Sequence, residues 1–261
     1  MSTRRDFILR TMGTLLIPNV TSTFLPTQKS EQPSTSSPSV VVFSKYIQNL
    51  KGEELVKACK ECELNGIDLT VREKGHIEPK NVVSELPQIA ELFNKNNLEI
   101  SMITTNLLSA KTQYASEIVE TASKVGIKYI RIGYHKYDFN ANITKQRKGF
   151  KDDLKSLAEL AEKYSVNMGY HNHSGEGNFG GPIWDLVEAI TEINSTYLGL
   201  NLDLGHLKVE GFGGAWKTNL ITALQWIKMI AVKDFTVENN KIKWVKLNTG
   251  CVPVKEMLKI I

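Results

Sequence analysis

From Val40 to the end of the chain, short apolar runs alternate with longer amphipathic stretches. This alternation constrains the fold more than any other feature. Strands are expected at 40–43, 67–71, 98–105, 128–133, 166–172, 198–203 and 229–235, with an eighth inside 242–250. Helical spacing of apolar residues predicts helices over 53–64, 82–96, 114–125, 145–164 and 183–193, and within 219–228. A last, short helix is expected from Val254. Strands separated by helices imply a parallel sheet with crossovers. Eight such units within residues 40–261 suit an α/β fold of the closed (β/α)8 TIM-barrel type, with the last helix short. An open dinucleotide-binding sheet is disfavoured, because no G-x-G-x-x-G opens a helix after a strand. The glycine-rich GEGNFGG at 175–181 lacks the lysine of a phosphate loop and reads as a flexible loop at the barrel mouth.

In such a barrel, chemistry gathers at the C-terminal ends of the strands. Here those ends are polar. They carry Arg72 with His76, Thr104 with Thr105, and Arg131 with Tyr134 and His135. Later ends carry His171 with His173, Asp203 with His206, and Lys233 with Asp234. All five histidines fall at or just past a strand end. Side chains two apart on a strand share a face, so His171 and His173 point one way and Asn172 the other. Gly205 is expected to let His206 turn back across the mouth. Imidazoles beside a carboxylate suit a divalent metal such as Mn, Zn or Mg, with His171, Asp203 and His206 as the candidate ligands. An imidazole also titrates near neutral pH and suits proton transfer. The two roles stay open for this pair.

Composition narrows the partners. The chain has 32 basic and 28 acidic residues, and the small excess is scattered. No basic stripe interleaved with aromatics is present, which argues against nucleic acid. An apolar content of 41% supports one sizeable core. Three cysteines make no disulfide framework, and Cys59 and Cys62 share a helix face with Leu55 and Val56, as core thiols do. Residues 1–26 open on STRRDF and continue through an apolar stretch, 12–20, too short to span a bilayer as a mature helix. They resemble a twin-arginine export signal. Residues 27–39, rich in Ser, Thr and Pro, read as a linker. The barrel domain is then 40–261. The expectation is an exported, periplasmic-type protein with no stable membrane anchor; a basic tail on a cytoplasmic protein is the alternative.

The ordered segments GYHNH (169–173), LGLNLDLGH (198–206) and AVKDF (231–235) together resemble the xylose-isomerase-like TIM-barrel superfamily of sugar isomerases and epimerases. LTVR (69–72), GH…P (75–79) and MITT (102–105) are similar to segments of its exported members. The resemblance implies a small-molecule carbohydrate as substrate and a divalent ion held by four side chains. Carried over one by one, the first ligand, a Glu, becomes His171, and the second is Asp203. The third, a His, becomes Ala231, and the fourth, a Glu, falls near Thr249. In such relatives two carboxylates shuttle a proton next to a carbonyl while the metal steadies the enediolate. Both carboxylate positions are changed here. His171 and His173 are therefore the candidate base and acid. Lys233, on the same strand face as Ala231, is the candidate that steadies an oxyanion without a metal. Arg72, His76, Arg131, His135 and His206 are the candidate substrate-binding residues. The expected function is a sugar isomerase or epimerase working by proton transfer next to a carbonyl. A β-elimination lyase on an oxidised sugar and a non-catalytic sugar-binding relative are the alternatives. A metal-dependent nuclease or phosphoesterase wants more clustered ligands than the chain offers.

Overall fold

A computed structural model gives the structure of residues 13–16 and 39–261. The strands are β1 (Gly13–Leu16), β2 (Ser39–Phe43), β3 (Gly66–Thr70), β4 (Glu99–Thr104), β5 (Tyr129–Ile132), β6 (Asn167–His171), β7 (Leu198–Asp203), β8 (Ile227–Val232), β9 (Asp234–Glu238) and β10 (Lys241–Val245). The helices are α1 (Glu53–Glu61), α2 (Val82–Lys95), α3 (Ala115–Lys124), α4 (Ile143–Lys163), α5 (Trp184–Ile193), α6 (Leu204–Glu210), α7 (Ala215–Ala223) and α8 (Val254–Ile260).

Strands β2 to β8 neighbour one another in chain order, each adjacent pair parallel. Parallel neighbours need a crossover, and helices supply it between each pair. The strands are covered on both faces, which is why β3 (GIDLT) and β7 (LGLNLD) are buried at every position. Helix α1 shows how the helices dock. Leu55, Val56 and Cys59 repeat on one face and are buried against the sheet. Burial, then the neighbouring Cys62, pushes the Cys59 thiol up to about 12, so this pair is core packing and carries no thiolate chemistry. The chain leaves the helix with Glu63 at φ 55, and Gly66 opens β3, where a Cβ would lie 2.0 Å from the Glu99 carbonyl oxygen.

The expected closed (β/α)8 barrel is corrected at its seam. Seven strands run parallel, and the place of an eighth parallel strand is taken by β1, antiparallel to both β2 and β8. The strand expected inside 242–250 lies outside the barrel, where β10 pairs antiparallel with β9. The reason is local. Asn239 and Asn240, at φ 50 and 58, form a two-residue turn that folds β10 straight back on β9, leaving no length for a crossover helix. Apart from β1 and Ser39, the expected export signal (1–26) and linker (27–39) lie outside the described residues. Among the described residues no helix is long and apolar enough to cross a membrane.

Candidate functional site

A cavity of about 600 Å³ opens over the C-terminal ends of the parallel strands, a size that suits a small molecule. Phe43, Tyr46, Tyr134 and Trp244 give it aromatic walls. Lys45, Arg72, Arg131 and Lys233 give it positive charge, and His171, His173 and His206 sit among them.

The floor is set by a clamp between two strand ends. Asn172 points away from His171, and its Nδ2 donates to the Asp203 carbonyl at 3.1 Å. The Asp203 N–H donates back to Asn172 Oδ1 at 2.7 Å. Asp203 then caps α6, its Oδ1 accepting the His206 N–H at 2.9 Å. His206 is therefore carried by the first turn of a capped helix, which corrects the expected swing at Gly205. Gly205 serves another need: a Cβ there would lie 2.7 Å from Lys233 Cβ and 2.9 Å from the Trp244 ring. Replacing Asn172 by alanine would strand two buried backbone groups. We expect a loss of about 2–3 kcal/mol and a melting temperature lower by roughly 4–10 °C in thermal unfolding.

Lys233 occupies the break between β8 and β9. Its Nζ lies 2.8 Å from Asp203 Oδ2 and 2.8 Å from His206 Nε2, and 5.3 Å from the centre of the Trp244 ring. With the ammonium donating to Nε2, the His206 proton belongs on Nδ1, 2.7 Å from Ser174 Oγ. His173 is fixed in a similar way. Its Nδ1 lies 2.7 Å from the Ser174 carbonyl, which can only accept, so the lone pair is on Nε2. The His173 ring stacks on Tyr134 at 5.0 Å and lies 4.0 Å from the His206 ring.

Burial governs the charges. It lowers His171 well below its ordinary value, and the Arg131 and Lys233 cations push the same way. It lowers His206 to about 3 against the pull of Asp203, and lowers His173 against the Ser174 carbonyl. All three rings are neutral near pH 7, so the 3.8 Å approach of His171 Nε2 to Asp203 Oδ2 is not an ion pair. Burial alone would raise Asp203, but the Lys233 ammonium and the hydrogen bond from the His206 N–H outweigh it and hold the carboxyl below its usual range. Burial lowers Lys233 while Asp203 pulls it back. Deeper in the barrel, burial pushes Asp68 up to about 7, although Thr104 Oγ1 donates to it at 2.7 Å and Arg131 and Arg72 oppose the rise.

Of the expected site residues, Arg72, Arg131, His171, His173, His206 and Lys233 line the cavity, and Asp203 lies directly beneath. His76 and His135 do not, which corrects their expected place at the substrate. His76 bonds Thr70 Oγ1 and the Leu50 carbonyl, both at 3.1 Å, and so ties two loops together. His135 turns outward, 3.2 Å from Asp153 Oδ2 on α4, and stacks on Phe150. Asp234 is spent on backbone, accepting from the Gly250 and Val252 N–H groups. Thr249 bonds the Lys246 carbonyl within its own turn. The loop at 175–181, expected to be flexible, is packed. Phe179 is fully buried and the Gly177 carbonyl accepts the Tyr137 N–H at 2.7 Å. Its glycines serve the backbone, with Gly175, Gly177 and Gly180 all at positive φ. Sequence reasoning missed Lys45, Tyr46 and Trp244. The first two lie in the short turn of helix, Ser44–Ile47, that follows the end of β2. The signal for Trp244 was the Asn-Asn hairpin turn at 239–240.

Three donors, from His171, Asp203 and His206, lie within 4.8 Å of one another, close enough to hold an ion. Lys233 is against them. An ion bound at about 2.0–2.2 Å from these donors would have to share its position with an ammonium already 2.8 Å from two of them. Ala231 brings no donor to the site, and Thr249 stands in its own turn. With Lys233 in place, the donor set does not fit a divalent ion.

Comparisons place this geometry in context. A family model described as the xylose isomerase-like TIM barrel matches residues 56–261. Among solved structures, the probable 3-DHS dehydratase AsbF of Bacillus anthracis, involved in petrobactin synthesis, superposes with a TM-score of 0.65 at 15% identity, over 83% of this chain and 86% of that one. The IolI protein, solved with a binding zinc atom, gives a TM-score of 0.65 at 16% identity, over 82% and 81%. The 3-keto-D-glucoside 4-epimerase YcjR from E. coli gives 0.58 at 13% identity, over 79% and 80%. At these identities the likeness is one of fold. No curated protein matches the chain in sequence. The family match runs from α1 to the last residue, well over half of the sequence, and so this chain belongs to the xylose isomerase-like TIM barrel family.

Proposed function

We propose that the chain is a sugar-modifying enzyme that moves a proton at a carbon next to a carbonyl, as an isomerase or epimerase acting on a keto-sugar or oxidised sugar. The observation that carries this reading is His173. Its Nδ1 proton is fixed by the Ser174 carbonyl, its ring is neutral, and it lines the cavity beside Lys233. A neutral imidazole of fixed tautomer is a competent base. Lys233 has N–H capacity beyond its contacts to Asp203 and His206, and an ammonium is the group that steadies a developing enolate oxygen. Return of the proton gives isomerisation or epimerisation; loss of a β-substituent gives elimination instead.

Tyr134 and Trp244 offer flat faces to the apolar side of a sugar ring. Lys45, Arg72, Arg131 and Lys233 outnumber Asp68 and Asp203, which favours a sugar carrying negative charge, such as a keto-acid. The neighbours named as a dehydratase and a keto-glucoside epimerase support the same reaction class.

The test is proton NMR in D₂O, with the purified protein and a panel of keto-sugars and sugar acids. Deuterium is expected at the carbon next to the carbonyl of at least one of them. Saturable binding without exchange would sink the enzyme reading and leave the sugar-binding alternative, which the missing ligands at Ala231 and Thr249 favour. The paired arginines Arg4 and Arg5 support export by the twin-arginine route. Fractionation with sequencing of the mature N-terminus tests this, and cleavage beyond Leu16 would take β1 out of the barrel.

A further inference from the structure

We propose that the Lys233 ammonium is the resident cation of this site, standing where a divalent ion would sit, and that removing it uncovers a latent metal site made of His171, Asp203 and His206.

The geometry has three parts. First, the donors are gathered as a metal centre gathers them: two imidazoles and a carboxylate within 4.8 Å, all buried. Second, Lys233 Nζ already bridges two of the three, at 2.8 Å from Asp203 Oδ2 and 2.8 Å from His206 Nε2. A carboxylate buried to this degree needs a compensating positive charge, and the lysine supplies it from the protein itself. Third, the surroundings are made for a cation that is already present. Arg131 stands with Lys233 and Asp203 on a cavity of about 20 Å³ below the mouth, and Trp244 offers its ring face to the ammonium. A dication added here would meet two fixed positive charges. Ala231, two residues before Lys233 on the same strand face, reaches this small cavity with a methyl group and no donor atom.

A lysine differs from an ion in a way that matters. It is covalently held, cannot be lost to a chelator, and carries a single charge where the ion would carry two. The site is therefore independent of metal supply. The assignment stands on the positions of these side chains and does not depend on which sugar the mouth takes, or on any turnover.

The experiment compares the wild-type chain with Lys233→Ala and Lys233→Gln, each treated with chelator and then dialysed against Co²⁺, Zn²⁺ or Mn²⁺. Bound metal is read by elemental analysis and, for Co²⁺, by visible absorption. The wild type is expected to hold less than a tenth of an equivalent. Lys233→Ala is expected to hold about one equivalent and to melt at a higher temperature with the metal than without it. Adding His206→Ala should abolish both effects. Lys233→Gln keeps a hydrogen-bond donor near Asp203 and guards against misfolding of the alanine variant. A wild type that retains one equivalent, lost on His171→Ala or Asp203→Asn, overturns the proposal. So does a folded lysine variant that binds no more metal than the wild type.

Discussion

Replacing His173 by alanine is expected to slow deuterium exchange into the substrate by about 10²–10⁴-fold, while sugar binding changes only a few-fold. The size of the effect follows from what the ring contributes. General-base help of this magnitude requires an available basic nitrogen at the cavity, and with Nδ1 held by the Ser174 carbonyl the lone pair of His173, which lines the cavity, is on Nε2. His171 is a poorer candidate. It is 2% exposed, and its Nδ1 is buried with no hydrogen-bond partner among the described residues. The comparison variant is therefore His171→Ala. If the two losses were reversed, with His171→Ala abolishing exchange and His173→Ala leaving it within tenfold, the base would be His171 and the tautomer argument at Ser174 would be irrelevant to catalysis. Binding measured alongside exchange separates a lost base from a collapsed mouth.

The parts of the site that were legible in the sequence are those that follow from strand period and barrel polarity. His171 and His173 reached the mouth because β6 ends there, and Asp203 reached its floor because β7 does. Lys233 was legible for the same reason. What stayed hidden depends on turns of one or two residues. His135 directly follows Tyr134, and that single step sends one ring to the cavity and the other to Asp153. Strand period lapses once the strand has ended, so a position at a strand end does not fix a direction. The seam failed for a related reason. An apolar run such as 242–245 is compatible with a buried barrel strand or with one arm of a hairpin. Only the left-handed pair Asn239-Asn240 decides between them. The antiparallel closure by β1 had no signal at all, because its residues read as an export signal rather than as barrel.

The second large effect is on stability, and it comes from acid. Going from pH 7 to pH 5 is expected to destabilise the fold, read as a lower urea midpoint. The sign follows from the direction of each shift. His135, His171 and His206 are nearly fully buried, and burial lowers all three below the ordinary histidine value. Folded, they take up protons only at lower pH than they would unfolded, where protonation starts from about pH 6.5 downward. The unfolded chain then binds more protons, so the stability held above that pH is lost as pH falls; for His206, held at about 3, the loss is about 2 kcal/mol at pH 5, and His135 and His171 act in the same direction. Asp68 works the other way. Its folded value of about 7 lies above its unfolded one, so the folded chain takes up its proton first and acid favours folding through this group, by about 2 kcal/mol over the same range. The lowered histidines outnumber the one raised carboxyl, which sets the direction. Asp203, already lowered, stays ionised in both states across this window and adds little slope. Two variants check the accounting. His135→Phe should flatten the dependence, since one proton-binding ring is gone. Asp68→Asn should steepen it, since the opposing group is gone. A urea midpoint that holds or rises between pH 7 and pH 5 would mean that the buried rings are charged in the folded chain, and the neutral base assigned to His173 would then lose its electrostatic support.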